Sequence, residues 1–322
     1  MAPQILHAHI AAFASERVNL PPYAAARHRA QVNGLRERLE VKIDADPTYG
    51  LVKMLHAGSV AKGTALRTVN DLDAAVYVTK LAAPTDTDDE LVPWLAARLF
   101  EANTNMSREQ FVENPHCVTV DFRGSGLSVD MVPVLYEGGA DDRGYLVRKQ
   151  TGERLLTSIP LHLRFIRERK AKYGKNFAEL IRLTKWWKRV VEKGDEDFRF
   201  KSFMIELLWA HLADKGLPLA DYPTALERFF AYIVQSELED QVAFTDYYAA
   251  STIPACSRVA IEVLDPVNAD NNVAVHYGEG DRQRIVAAAH RALDAIGEAR
   301  FAPTKGREVE CWQIVLGPTF NG

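Results

Sequence analysis

The chain changes character near residue 155, and that change limits the folds open to it. Ahead of it, short apolar runs bounded by turn residues alternate with helical patterns. The runs at 51–57, 72–78, 117–122 and 127–135 read as strands, the last two joined as a hairpin by Arg123-Gly124-Ser125-Gly126. A long amphipathic helix is expected over 3–43, broken at Pro21-Pro22, and another helix near 91–103. Two stretches read as loops: the one holding Pro84, Asp86, Asp88, Asp89 and Glu90, and the Gly- and Asp-rich residues 137–142. Beyond residue 155, helical periods dominate at 160–172, 176–192, 202–214, 223–237 and 281–298. One strand, 259–264, interrupts them and stops at Asp265-Pro266. The expectation is an α+β chain, with an α/β unit over 1–154 and a mostly helical unit over 155–322 that ends in a short flexible tail.

Composition narrows the function. At 322 residues and 47% apolar content the chain can bury a substantial core. It has no run of eighteen apolar residues, so no membrane span is expected. The apolar patch at the N-terminus has no basic region before it and no clear cleavage site, which argues against a secretory signal. The cysteines Cys117, Cys256 and Cys311 are far apart and form no CxxC pair, which disfavours a zinc site or a disulfide framework and fits a reducing cytoplasm. A net charge of −4 argues against a long nucleic acid as substrate and leaves room for a local basic patch that holds a nucleotide.

The chemistry is carried by a short ordered set. Gly58-Ser59-Val60-Ala61-Lys62-Gly63-Thr64 follows a strand and precedes a short helix. Glycine lets backbone N–H groups approach a phosphate closely, and the Ser59 hydroxyl can add a hydrogen bond. Twelve residues after Ser59 comes Asp71-Leu72-Asp73. On a strand the two carboxylates share one face while Leu72 points into the core. Like charges so placed repel unless a cation lies between them, and Mg2+ suits a few carboxylates plus substrate phosphates. The third member is Asp130, flanked by Val129, Met131 and Val132 in an apolar strand, where a carboxylate needs a partner. A metal shared with Asp71 and Asp73 would supply one; pairing with Arg123 or Arg67 is the alternative. Asp121 lies near the turn and is expected to be exposed. Together the three aspartates point to two Mg2+ ions, with Mn2+ as a substitute, one activating a hydroxyl and the other holding a triphosphate and its leaving pyrophosphate.

This order, GS…KGT, D-L-D and S-V-D-M-V-P, resembles the polymerase beta-like nucleotidyltransferases. Within them the chain is similar to the bacterial relatives of cyclic GMP-AMP synthase and oligoadenylate synthase, the oligonucleotide cyclases (CD-NTases) of CBASS anti-phage defence. The similarity extends over nearly the whole chain, through Leu180 to Lys188, Lys201-Ser202-Phe203 and Leu264-Asp265-Pro266-Val267-Asn268. It implies a mixed-sheet nucleotidyltransferase core, a helical lobe and a cleft between them. It also implies that Lys185 and Ser202 touch the donor triphosphate, with substrates drawn from ATP, GTP or pyrimidine triphosphates. From the residues alone, Lys185 and Arg189 lie opposite the apolar stripe of Leu180, Leu183, Trp187, Val190 and Val191, Ser202 reads as a helix N-cap, and Asp265-Pro266 reads as a structural turn. Thr157 and Ser158, near the lobe junction, are candidates for base selection. The resemblance further implies a ubiquitin-like conjugation acting at Gly322, against an ordinary frayed terminus. The expected activity is synthesis of a cyclic di- or trinucleotide. The rivals are a linear oligonucleotide synthase or template-free RNA nucleotidyltransferase, transfer of AMP to a small molecule or protein, and a catalytically inactive nucleotide-binding protein.

Overall fold

The structure, a computed structural model, describes residues 5–81 and 88–322; Pro84 and Asp86 of the expected acidic loop lie outside the described residues. Contacts divide the chain into two compact units. One is Leu20–Arg164; the other joins the stretch ending at Asn19 to Phe165–Gly322. The division falls ten residues beyond the composition change at 154/155, and the first helix belongs with the helical unit.

The first unit is built on a mixed sheet. Its strands are β1 (Tyr49–Ala57), β2 (Asp71–Lys80), β3 (Phe111–Glu113), β4 (Val118–Phe122), β5 (Leu127–Gly138), β6 (Arg143–Val147) and β7 (Arg154–Thr157). The order is β1-β2-β5-β4-β3, with β6 paired to β5 and β7 to β6. Only β2 and β5 run parallel; every other pair is antiparallel. Alternation assigns the two faces. Leu72, Ala74, Val76 and Val78 of β2, with Val118, Val120, Val129 and Met131, form one buried core with Val32, Leu35, Leu39 and Ile43 of helix α2 (Pro22–Asp44) and Leu91, Leu95 and Leu99 of α4 (Leu91–Ala102). The opposite face carries the odd-numbered residues of β2. A one-residue slip would exchange the two sets, so the apolar face fixes the register that the polar face uses.

The expected hairpin is present, and the helix read over 3–43 is two helices, α1 (His7–Phe13) and α2, separated around Pro21. The loop expected over 137–142 is present as the turn 139–142 from β5 into β6, with β5 running on through Gly138; Gly138, Gly139 and Asp142 all take positive φ.

The second unit holds α6 (Lys175–Glu192), α7 (Ser202–Asp214), α8 (Tyr222–Ser236), α9 (Glu279–Arg300) and α10 (Lys305–Leu316). Ahead of these come α3 (Gly58–Lys62), between β1 and β2 in the first unit, and α5 (Ile159–Tyr173), inside which the division falls. The second unit buries many aromatic side chains: Trp209 stacks on Phe229 at 4.6 Å between ring centres, and Trp187 meets Phe230 at 4.8 Å. Residues 259–264 do not form the expected strand. They make only isolated bridges, Val242 to Val263 and Leu264 to Asn272, because Asp265 ties the chain into a turn by accepting from Val267 N at 2.8 Å and Asn271 Nδ2 at 3.1 Å. The tail expected to be flexible is anchored. Phe320 is buried with its ring edge-on to Phe13, and Gln313 Nε2 donates to its carbonyl at 2.8 Å, leaving Asn321 and Gly322 exposed. Among the described residues no helix is long and apolar enough to cross a membrane.

Candidate active site

The site is set by strand register. On the polar sheet face Asp73 pairs with Asp130 across the parallel β2–β5 ladder, and Asp71 pairs with Ser128. Neighbouring strands lie about 4.8 Å apart, so Asp73 and Asp130 stand side by side with Asp71 two residues along. Asp71 is exposed; Asp73 and Asp130 are half-buried. All three sequence-predicted carboxylates are thus on one face of two adjacent strands.

The Gly58-Ser59 turn meets the same place. β1 ends at Ala57, which pairs with Asp73. Gly58 then takes φ +64° and opens the single-turn helix α3, and Gly63 closes it at φ +72°. Both positions need glycine for their backbone, and Gly58 needs it for space as well. A Cβ there would lie 1.6 Å from Asp73 Oδ2. The Asp73 carboxylate therefore rests against the backbone of the turn, with Ser59 half-buried beside it in α3.

Asp130 has a partner that the sequence reading did not name. Thr119 stands opposite it on β4, and Thr119 Oγ1 donates to Asp130 Oδ1 at 2.5 Å. Asn114 Nδ2 in turn donates to Thr119 Oγ1 at 2.8 Å. Arg123, one of the two arginines considered for Asp130, lies 3.5 Å from Glu109. Cys117 lies close by: burial first, then the charges of Asp130 and Asp73, push its thiol up to about 11. Asp121, expected to be exposed, is half-buried and accepts from Ser128 Oγ at 2.5 Å.

Lys185 and Ser202 belong to the helical unit. Lys185 does not lie on a solvated face as the helical wheel predicts. It is buried, and its Nζ is 2.6 Å from Glu206 Oε1 on α7. The reason is that α6 is covered on that side by α7, where Trp209 Nε1 also donates to Thr184 Oγ1 at 2.9 Å. Ser202 is the exposed first residue of α7; the N-cap is Lys201, with no side-chain cap bond, so the expected capping role is absent. Of the proposed base-selecting residues, Thr157 is buried, and Ser158 spends its hydroxyl on the fold, donating to Asp141 O at 2.6 Å and accepting from Leu161 N at 3.3 Å.

Among the described residues no three acidic, histidine or cysteine side chains are already converged on one point to hold a metal ion. The donor set nevertheless fits a hard divalent cation. It is all carboxylate oxygen, carried on rigid strands, with two members adjacent in register.

The fold is that of the polymerase beta-like nucleotidyltransferases, and the chain is an enzyme of that class. No protein-family model matches it. It is 46% identical over 316 residues to the cyclic AMP-AMP-AMP synthase of Escherichia coli (strain MS 115-1), covering 98% of each chain. It is 30% identical over 311 residues to the CBASS oligonucleotide cyclase CdnC of Escherichia coli (strain KTE188), covering 95% of each. Two structures of CdnC from Escherichia coli MS115-1, one with ATP and one in complex with HORMA-deltaN, superpose with a TM-score of 0.88 at 45% and 44% identity over 99% of each chain. The chain belongs to the CBASS oligonucleotide cyclases, the CD-NTases, and is a cyclic oligonucleotide synthase.

Proposed function

We propose that this enzyme joins three molecules of ATP into cyclic AMP-AMP-AMP at the Asp71, Asp73 and Asp130 face, with divalent magnesium as cofactor. The product follows from the 46% identical synthase, whose name states it, and ATP as substrate from the related CdnC structure with ATP. The observation that carries the site is the register pairing of Asp73 with Asp130, with the Gly58 turn against Asp73.

In this reading each of three steps joins a ribose hydroxyl to the α-phosphorus of a triphosphate, breaking the bond to the leaving pyrophosphate. Three ATP give one ring and three pyrophosphates. The bound magnesium ions would supply charge neutralisation for the triphosphate and lower the pKa of the attacking hydroxyl. The chain's own residues do the positioning. Asp71, Asp73 and Asp130 present oxygen ligands, and the Gly58-Ser59 turn brings backbone N–H groups and a hydroxyl to the phosphates. By family resemblance Ser202, exposed at the start of α7, contributes to the donor triphosphate, as would Lys185 on leaving its buried pairing with Glu206. Purified protein incubated with all four triphosphates and Mg2+ or Mn2+, followed by mass analysis, tests the proposal. A product with the mass of three AMP residues closed into a ring supports it; a linear product retaining its 5′-triphosphate overturns it.

The CdnC–HORMA-deltaN complex supports a HORMA protein as partner of this chain. Co-purification of the two tests that. Conjugation at Gly322, implied by the resemblance, is a separate proposal. With Phe320 buried, a transferring enzyme is offered Asn321 and Gly322 alone. Mass spectrometry of the protein recovered with its neighbouring genes tests it, and conjugates unaffected by loss of Gly322 would remove it.

A further inference from the structure

We propose that Thr119, oriented by Asn114, is a positioning residue that fixes Asp130 as a cation ligand. The inference rests on the reading of Asp130 as a ligand and adds the groups that aim it.

The direction of the relay follows from donor and acceptor chemistry. Asn114 Nδ2 can only donate, and it lies 2.8 Å from Thr119 Oγ1. A hydroxyl has one proton, and with a donor on its lone pair that proton points elsewhere. Asp130 Oδ1, 2.5 Å away, is an acceptor when ionised. With the Asn114 amide reversed, its oxygen would compete for the hydroxyl proton and leave Thr119 Oγ1 facing a carboxylate oxygen lone pair to lone pair. The relay therefore runs from Asn114 through Thr119 to Asp130 Oδ1, and Oδ2 is the oxygen it leaves to present to a cation.

Each member is held by the fold. Asn114 sits in the turn between β3 and β4, which its backbone N–H closes onto Cys117 O at 2.8 Å. Thr119 is fixed by the β4–β5 register, directly opposite Asp130. The need for such a hold is electrostatic. Asp73 and Asp130 are adjacent on parallel strands, and two like charges there favour rotation away from each other. A hydrogen bond to Oδ1 keeps one orientation of Asp130. Partners of this kind behind a metal ligand typically contribute about 10–100-fold in metal affinity.

The test is Mn2+ binding to the full chain in the presence of a non-hydrolysable ATP analogue, followed by electron paramagnetic resonance, with thermal melts to confirm folding. Thr119→Val keeps the shape and the strand preference and removes the hydroxyl. It should weaken Mn2+ about 10–100-fold. Asn114→Leu should weaken it in the same direction, and Thr119→Ser should bind close to wild type. Asp130→Asn serves as the reference. If Asp130→Asn loses Mn2+ while Thr119→Val or Asn114→Leu binds as wild type does, the relay is overturned and the ligand reading stands. If Asp130→Asn itself binds Mn2+ like wild type, the ligand reading falls. A Thr119→Ser protein as weak as Thr119→Val would overturn the relay too, by tracing the loss to packing.

Discussion

Two charged clusters, one in each unit, are treated in opposite ways. In the sheet unit three carboxylates stand exposed or half-buried on one face, and the partner of Asp130 is a hydroxyl rather than a cation. In the helical unit Lys185 and Glu206 are buried together, with side chains only 5% and 3% exposed. A buried ion pair satisfies itself at a desolvation cost and holds two helices in register. A row of aspartates on one strand face is an all-oxygen donor set and is suited to an external cation. Ionisable side chains therefore offer a candidate ligand face in one place and form a structural clamp in the other.

The largest effect that would break this comparison is on activity. Asp71→Ala with Asp73→Ala should reduce nucleotide incorporation to background while changing unfolding free energy by about 1 kcal/mol or less. Consumption of labelled ATP by the folded double variant would end the assignment. Gly58→Ala comes next. The added Cβ collides with Asp73 and the backbone is strained, so stability should fall by about 1–3 kcal/mol. Activity should fall on the order of a hundredfold from displacement of the carboxylate.

The clamp makes the opposite prediction. Glu206→Ala should destabilise the protein by about 3–5 kcal/mol in denaturant titration, because it leaves Lys185 buried without its carboxylate. Lys185→Met with Glu206→Leu should recover most of that loss. Its KM for ATP then reports separately whether Lys185 acts on the triphosphate.

A smaller effect concerns pH. Burial, with Lys215 nearby, pushes His211 down from its ordinary 6.5 to about 4, and its Nε2 is buried without a hydrogen-bond partner. The neutral ring is the folded form, so between pH 6.5 and 4 the unfolded chain binds the extra proton. The contribution is fully present above about pH 6.5 and is lost as pH falls toward 4. His211→Phe should flatten the fall in melting temperature over that range. An unchanged slope would show that other groups set it.

Much of the sheet was legible because strands with one apolar face alternate visibly, as 72–78 and 127–135 do. The short β3, β6 and β7 were not, since three to five residues hardly express a period. The helix Lys305–Leu316 was also missed; its first turn is polar, and its apolar residues crowd into Val309–Leu316 with Ile314 exposed, which blurs the helical period. The three aspartates could be read from order and spacing. Thr119 could not be read from composition, since a threonine within a strand is ordinary. The hairpin arithmetic would have found it: with Phe122 opposite Leu127, Thr119 falls opposite Asp130. The burial of Lys185 was beyond a helical wheel, which shows the faces of one helix and nothing of the neighbour that covers it.

The central claim is that the polar sheet face holds the catalytic cations. A crystal structure with Mn2+ and a non-hydrolysable ATP analogue tests it most directly. The account predicts anomalous peaks about 2.1 Å from carboxylate oxygens of Asp71, Asp73 and Asp130, close to the triphosphate. Manganese and triphosphate bound elsewhere, with those carboxylates untouched, would contradict it.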